Sequence, residues 1–289
     1  MAAGIIAYPL RAGSVQTRVL ECGTGGDTAV FIHGVGARAD RWRSNLGPFA
    51  EAGFRCLAID LPGHGFADKG ADVPARVPDF SAFLADFLDT MEVDRAVLIG
   101  TSLGGHIAAH FACERRDRVR ALVLVGSLGL VPLADGVGDL ISRSIQETDR
   151  ESIERKVQLV FANPGVLAPE TIDEEFRINN SRGAAESFAR LGDYFSRGIN
   201  GDVVGERLAA LSDPVPTLLV WGAEDRVVTP EVGRASRELL HGCELIEISG
   251  TGHAPYLERP EAFNTPVLKF LRGVTTPQGN KERVDAGQR

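Results

Sequence analysis

Short apolar runs alternate with longer segments of helical periodicity along most of the chain. Six runs dominated by apolar residues predict strands at positions 29–33, 56–60, 96–100, 121–125, 217–221 and 245–249. Because most of these runs lack alternating polar positions, both faces of the strands are expected to be covered, which is typical of a parallel sheet. Apolar residues at helical spacing predict helices between them, at 40–52, 79–91, 103–115 and 230–240.

The alternation of strands and helices predicts an α/β fold with an open sheet. At the start of the chain, 5–10 and 14–22 predict an antiparallel hairpin on the sheet edge. The alternation stops between 131 and 211, where amphipathic stretches at 139–146, 152–161 and 184–195 predict a helical insertion. We therefore expect a core of residues 1–130 and 212–272, a helical cap at 131–211, and a polar, disordered tail at 273–289.

Charge and composition exclude several classes of partner. A net charge of −8 argues against nucleic acid and anionic membranes, because both require a basic surface. The apolar runs are far shorter than a membrane span, and the first ten residues lack the basic region of a signal peptide. The four cysteines are widely spaced without a CxxC pair, which favours reduced thiols. We expect a cytoplasmic protein, a monomer or homodimer, that acts on a small molecule.

A candidate nucleophile lies between the predicted strand at 96–100 and the helix that follows it. The sequence Gly-Thr-Ser-Leu-Gly at 100–104 places Ser102 on a sharp turn, where small neighbours let the turn close. The helix that begins after Ser102 supplies unpaired backbone N–H groups and a positive dipole end, which would stabilise an oxyanion. This strand–turn–helix context indicates nucleophilic catalysis by Ser102.

A serine nucleophile requires a base, and His253 is the best placed of six histidines. His106 and His110 lie on the helix after the serine and are expected to pack or face solvent, and His241 is expected to be exposed. His253 follows the last predicted strand in a glycine-flanked loop, at the sheet edge where such loops converge. Asp225 follows the strand at 217–221 and is predicted to orient the histidine, whereas the adjacent Glu224 is expected to face solvent.

These motifs resemble the α/β-hydrolase superfamily over residues 15–272. The resemblance is carried by His33-Gly34, by Asp-Leu-Pro-Gly-His-Gly at 60–65, by the serine turn and by the loops of Asp225 and His253. It implies an eight-stranded, mostly parallel sheet with an inserted helical cap. It also implies an oxyanion hole formed by the backbone N–H groups of Val35 and Leu103. His33 would hold the oxyanion loop, and 60–65 would form a structural turn with His64 at or near the surface.

Several reactions fit a serine nucleophile in this family. Hydrolysis of a small carboxylic ester through an acyl-enzyme is the first choice. Carbon–carbon hydrolysis of aromatic ring-cleavage products is the alternative, although the chain departs from that group where Thr101 replaces a frequent asparagine and Ala254 a common tryptophan. Perhydrolysis would use the same residues, and a ligand-binding protein with little turnover is a further alternative.

Substrate contacts are only weakly indicated by the sequence. Gly34 would let the oxyanion loop approach a ligand closely, and the arginines Arg38 and Arg190 are candidates for meeting a carboxylate. No metal-binding or nucleotide-binding motif is present, so no cofactor is expected.

Overall fold

The structure is a computed structural model that describes residues 4–168 and 170–274. Its strands are β1 (Ile6–Ala12), β2 (Val15–Cys22), β3 (Thr28–Ile32), β4 (Arg55–Ile59), β5 (Ala96–Thr101), β6 (Val119–Val125), β7 (Thr217–Gly222) and β8 (Glu244–Ile248). Its α-helices are α1 (Arg43–Glu51), α2 (Val77–Thr90), α3 (Leu103–Glu114), α4 (Val137–Gln146), α5 (Arg150–Val160), α6 (Glu170–Asn179), α7 (Ala184–Arg197), α8 (Gly205–Ala209), α9 (Pro230–Leu239), α10 (Pro255–Glu258) and α11 (Pro260–Val274).

All eight strands form one sheet in the order β1-β2-β4-β3-β5-β6-β7-β8. β2 pairs antiparallel with both β1 and β4, and every other neighbouring pair is parallel. The eight-stranded, mostly parallel sheet and its edge hairpin are therefore confirmed. Since parallel strands end at the same edge of a sheet, the loops after β3, β5, β6, β7 and β8 all lie at one edge.

The central strands are apolar throughout because each of their faces packs against a separate hydrophobic cluster. Along β5, Ala96 and Leu98 belong to the cluster that includes α2 and α3, whereas Val97 and Ile99 belong to the cluster that includes α1 and α11. All four side chains are fully buried. This arrangement explains why the strand pattern shows no polar alternation.

The segment between β6 and β7 contains α4 to α8 and, within its described residues, no strand. We call this segment the insertion; that it is helical agrees with the sequence pattern. α6 was not predicted from the sequence, because it is rich in charged residues and buries only Glu175. No helix in the described ranges is long and apolar enough to cross a membrane.

The predicted start of the polar tail was wrong by two residues. α11 continues through Gly273 and Val274, because its apolar face packs on the core with Val267 and Leu271 fully buried. The rest of the predicted tail, 275–289, lies outside the described residues. The division into a core at 1–130 and 212–272 and a cap at 131–211 stays a prediction about domains.

Candidate active site

Ser102 occupies a strained turn between β5 and α3. Its φ of 54° and ψ of −119° lie in a region that side chains other than glycine rarely adopt. Its N–H donates to the Val125 carbonyl at 2.9 Å, which fixes the turn to β6. A Cβ at Gly100 would lie 2.2 Å from the Gly104 oxygen, and a Cβ at Gly104 would lie 2.4 Å from the Ile32 oxygen. The glycines flanking the serine are therefore required by close backbone contacts.

His253 and Asp225 form a buried hydrogen-bonded pair. Nδ1 of His253 lies 2.7 Å from Oδ2 of Asp225, and the two residues are 8% and 4% exposed. The other carboxylate oxygen accepts the N–H groups of Val227 and Val228 at 2.8 and 3.0 Å. Since the Nδ1–H donates its hydrogen bond to the carboxylate, Nε2 of the neutral ring is left as the atom that can accept a proton.

Gly126 connects this pair to the serine turn. A Cβ at Gly126 would lie 3.0 Å from Nδ1 of His253 and 3.2 Å from Oδ2 of Asp225. The preceding residue, Val125, is the one whose carbonyl accepts the Ser102 N–H. The histidine–aspartate pair thus lies against the end of the strand that also holds the serine. No pattern in the sequence indicated this role for Gly126, and the structure shows that its positive φ of 48° and the histidine–aspartate pair leave little space for a side chain there.

The predicted oxyanion loop also lies against the serine. A Cβ at Gly34 would lie 3.0 Å from Cβ of Ser102 and 3.7 Å from its Oγ. Within the described residues, the N–H groups of Val35 and Leu103 donate no hydrogen bond. The N–H of Leu103 lacks an acceptor because it opens α3, where the first turn of a helix has no internal partners. Both predicted donors are available to a ligand.

His33 and His64 hold the backbone beneath the oxyanion loop. Nδ1 of His33 lies 2.7 Å from the Gly34 oxygen, and its Nε2 accepts the Leu61 N–H at 2.9 Å. Burial lowers the pKa of His33 to about 4 and that of His64 to about 3, so both rings are neutral. The expectation that His64 lies at or near the surface was wrong. It is 1% exposed, because Phe188 of the insertion packs edge-on against its ring.

The two candidate arginines are both engaged by protein groups. Arg38 is buried and forms ion pairs with Asp40 at 3.1 Å and with Glu174 of α6. Arg190 is exposed on α7, and its guanidinium donates to the Val73 carbonyl. The structure therefore places Arg38 near the oxyanion loop without a free guanidinium, and it does not bring Arg190 to the Ser102 turn.

The remaining candidates lie outside the group around Ser102. Glu224 is exposed as expected, and its carboxylate binds backbone N–H groups of the loop that leads to His253. His106 and His110 are buried on α3, and His241 is exposed. In the described ranges, no three His, Cys, Asp or Glu side chains are grouped to hold a metal ion.

The insertion contacts the loop of the predicted base directly. Ser102 and His253 are each only 8% exposed. The backbone N–H of His253 donates to the carbonyl of Val160, at the end of α5, at 2.7 Å. Sequence reasoning missed Val160, because a backbone carbonyl carries no signal in the amino-acid sequence.

Comparison with known proteins places this site in a family of enzymes. A family model described as the alpha/beta hydrolase family matches residues 29–265. The chain is 30% identical over 267 residues to the 2-hydroxy-6-oxononadienedioate/2-hydroxy-6-oxononatrienedioate hydrolase of Escherichia coli (strain K12 / DH10B), covering 87% of this chain and 89% of the relative.

Two further proteins are similar over most of the chain. The dihydrolipoyllysine-residue acetyltransferase component of the acetoin cleaving system of Cupriavidus necator is 29% identical over 265 residues, which cover 90% of this chain and 67% of that protein. The crystal structure of a membrane phospholipase A, a bacterial virulence factor, superposes with a TM-score of 0.81 at 27% identity, covering 94% of this chain and 87% of that one.

Proposed function

The chain belongs to the α/β-hydrolase family, and on this premise we propose that it is a serine hydrolase that cleaves a carboxylic ester of a small organic substrate through an acyl-enzyme intermediate. The observation that carries the proposal is the buried hydrogen bond between His253 and Asp225, packed against the same strand end that holds Ser102. A nucleophile, a base and an orienting carboxylate are the parts that acyl transfer requires.

In the first half of the reaction, Ser102 attacks the carbonyl carbon of the ester. Nε2 of His253 takes the proton from Oγ as the bond to carbon forms, and then gives it to the leaving alcohol. Asp225 keeps the other ring nitrogen protonated and stabilises the imidazolium while the proton is held. In the second half, water attacks the acyl-enzyme with the same base, which releases the acid and restores Ser102.

The negative charge of the tetrahedral intermediate requires donors that are already in place. The unpaired N–H groups of Val35 and Leu103 are the proposed donors, since neither has an acceptor in the described residues. Leu103 follows Ser102 directly, and Val35 follows Gly34, which lies against Ser102. Donors fixed before the reaction need no reorganisation when charge develops, and the loss of one such donor typically costs about 10²–10³-fold in rate.

The charges near the oxyanion loop favour a substrate without a carboxylate at that position. Arg38 and Arg41 follow the loop, and each forms an ion pair with a glutamate of α6, Glu174 and Glu175 respectively. A carboxylate of the substrate would have to displace one of these side chains. A neutral ester would not.

Carbon–carbon hydrolysis of a vinylogous diketone is the second candidate. It is favoured by the 30% identity to the Escherichia coli oxononadienedioate hydrolase over 87% of this chain. Two residues count against it: Thr101 stands where that group frequently has asparagine, and Ala254 where it commonly has tryptophan.

The test compares both substrate classes on the same enzyme preparations. Short acyl nitrophenyl esters and a dienoate ring-cleavage product are offered to the wild type, to Ser102→Ala and to Ser127→Ala. Ser127 is the matched control, because it is a buried serine next to Gly105 of α3 whose hydroxyl donates to the Leu128 carbonyl.

We expect ester hydrolysis by the wild type and by Ser127→Ala, and a loss of at least about 10⁴-fold in Ser102→Ala. Faster turnover of the dienoate than of any ester would transfer the assignment to the second candidate. Equal activity in the wild type and Ser102→Ala on both classes would overturn the serine mechanism itself.

A further inference from the structure

The loop that carries His253 is held by four consecutive backbone hydrogen bonds. The N–H groups of Gly250 and Thr251 donate to the two carboxylate oxygens of Glu224 at 3.1 and 2.8 Å. The Gly252 N–H donates to Oε1 of Glu258 at 2.6 Å. The N–H of His253 itself donates to a backbone carbonyl at 2.7 Å. Each N–H of the loop thus has its own acceptor.

These four acceptors belong to two different parts of the molecule. Glu224 follows β7, so it fixes the start of the loop to the sheet. The acceptor for His253 is Val160 at the end of α5, which belongs to the insertion. Glu258, on α10, uses its second oxygen to accept the N–H of Asn163 at 3.0 Å, just after α5. Glu258 therefore joins the histidine loop to the insertion.

The two backbones are also in direct contact at this place. A Cβ at Gly252 would lie 2.5 Å from the Val160 oxygen and 2.8 Å from the Ala162 nitrogen. Only glycine lets the loop approach the end of α5 so closely, and a displacement of either segment would disturb the other. The insertion therefore sets part of the position of the loop that carries His253.

We propose that Glu258 is a positioning residue for His253. Glu258 holds the base in place by binding both the histidine loop and the segment after α5. The proposal rests on the proposed function, in which His253 is the base. Hydrogen bonds from N–H groups to a carboxylate are stronger than those to a neutral acceptor, so one side chain can fix both segments. A corollary is that moving the α5 end away from the sheet releases the base as well.

The experiment measures kcat, KM and the downfield NMR signal of the His253 Nδ1 proton in Glu258→Ala, Glu258→Gln and Glu261→Gln. We expect Glu258→Ala to lower kcat about 10²-fold, because a displacement of about 1 Å has that effect, with a much smaller change in KM. Its downfield signal broadens or disappears, since the ring is no longer held against Asp225. Glu258→Gln keeps one carbonyl oxygen as an acceptor and recovers part of the rate.

Glu261 is the matched control, because it is an exposed glutamate three residues away that makes none of these contacts. Glu224→Gln adds a second comparison, since that side chain holds the loop to the sheet but not to the insertion. If Glu258→Ala proves unstable, Glu258→Gln alone decides the result, through the kcat and the proton signal relative to Glu261→Gln.

A wild-type kcat and an unchanged proton signal in both Glu258 variants would overturn the proposal, even if the melting temperature falls. Failure of the proposed function would look different. The wild type would then hydrolyse none of the substrates, whereas the NMR signal would still show whether Glu258 positions the ring of His253.

Discussion

The centre of the sheet is held by apolar packing on both faces, whereas the insertion combines apolar packing with ionic and backbone contacts. The central strands are apolar on both faces, and side chains such as Phe31 are fully buried between helices. The insertion adds buried apolar side chains such as Phe188 to the same core, and it also makes charged and backbone contacts, including the ion pair between Glu175 and Arg41. Apolar packing is spread over many contacts, whereas an ionic contact depends on two groups.

The proposed catalytic residues lie on loops of the sheet and not on the insertion. Ser102, Asp225 and His253 all follow strands of the sheet, whose register fixes where the loops begin. The insertion contacts the loop of the proposed base through Val160. We infer that changes in the sheet loops act on turnover, and that changes in the insertion act on substrate access and on the position of the base.

The largest expected effect lies in the sheet loops. His253→Ala should lower kcat/KM by about 10⁴-fold or more, and the double variant with Ser102→Ala should be scarcely worse, because the residues act as a unit. Asp225→Asn should cost about 10⁴-fold, since it leaves the ring in the wrong tautomer. Steady-state kinetics on the preferred ester compares the wild type, the three single variants and the double variant. Losses that multiply in the double variant would contradict a shared mechanism.

The second effect tests the apolar core against the surface of the insertion. Phe31→Ala should reduce the free energy of unfolding by about 3–5 kcal/mol, because its ring packs at 5.4 Å from Trp42 and 5.2 Å from Phe49. Leu140 of α4 is 59% exposed, so Leu140→Ala should change the free energy of unfolding by less than about 0.5 kcal/mol. Urea unfolding followed by circular dichroism compares the two. Similar losses would contradict the expectation that the cost follows the burial of the side chain.

A third experiment compares the two ion pairs between α6 and the oxyanion region. The side chain of Glu175 is 10% exposed, and burial lowers the pKa of its partner Arg41 to about 10. Glu175→Gln should therefore cost about 1–3 kcal/mol, because it leaves a buried guanidinium without its charge partner. Glu174 is 60% exposed, and Glu174→Gln should cost less than about 1 kcal/mol. Thermal unfolding and KM for the ester are the measurements. An equal loss of stability in the two variants would contradict the expectation that the buried pair contributes more.

The smallest effect is a pH dependence of stability that arises on the sheet side. The pKa values of His33 and His64 are lowered by burial to about 4 and about 3, from an ordinary value of 6.5. Below pH 6.5 the unfolded chain therefore binds protons that the folded chain excludes. The free energy of unfolding is therefore highest above pH 6.5. As the pH falls below that value, it declines by about 1.4 kcal/mol per pH unit for each histidine.

Unfolding free energies at pH 5.5 and 7 test this in His64→Gln and in His241→Gln. We expect the first variant to have a shallower pH dependence than the wild type. The second should match the wild type, because His241 is exposed. An unchanged slope in His64→Gln would mean that this ring already binds a proton in the folded protein.

The strands and the edge hairpin could be predicted because their signals are local. All eight strands begin and end within two residues of the predicted positions. The run at 96–100 is apolar at every position because two clusters cover it, which is a property that the sequence records directly. α6 was missed for the opposite reason, since its charged residues are held by contacts with distant groups such as Arg38 and Arg41.

The sequence by itself determined the fold class and named Ser102, Asp225 and His253 as a set, because side-chain chemistry and its place after each strand are written in the residues. Their catalytic roles stay predictions. Only the tertiary structure decided that His64 is buried beneath Phe188, that Gly126 lies against the histidine–aspartate pair, and that the insertion holds the histidine loop. These features depend on backbone groups and on contacts between segments far apart in the chain, which leave no local pattern.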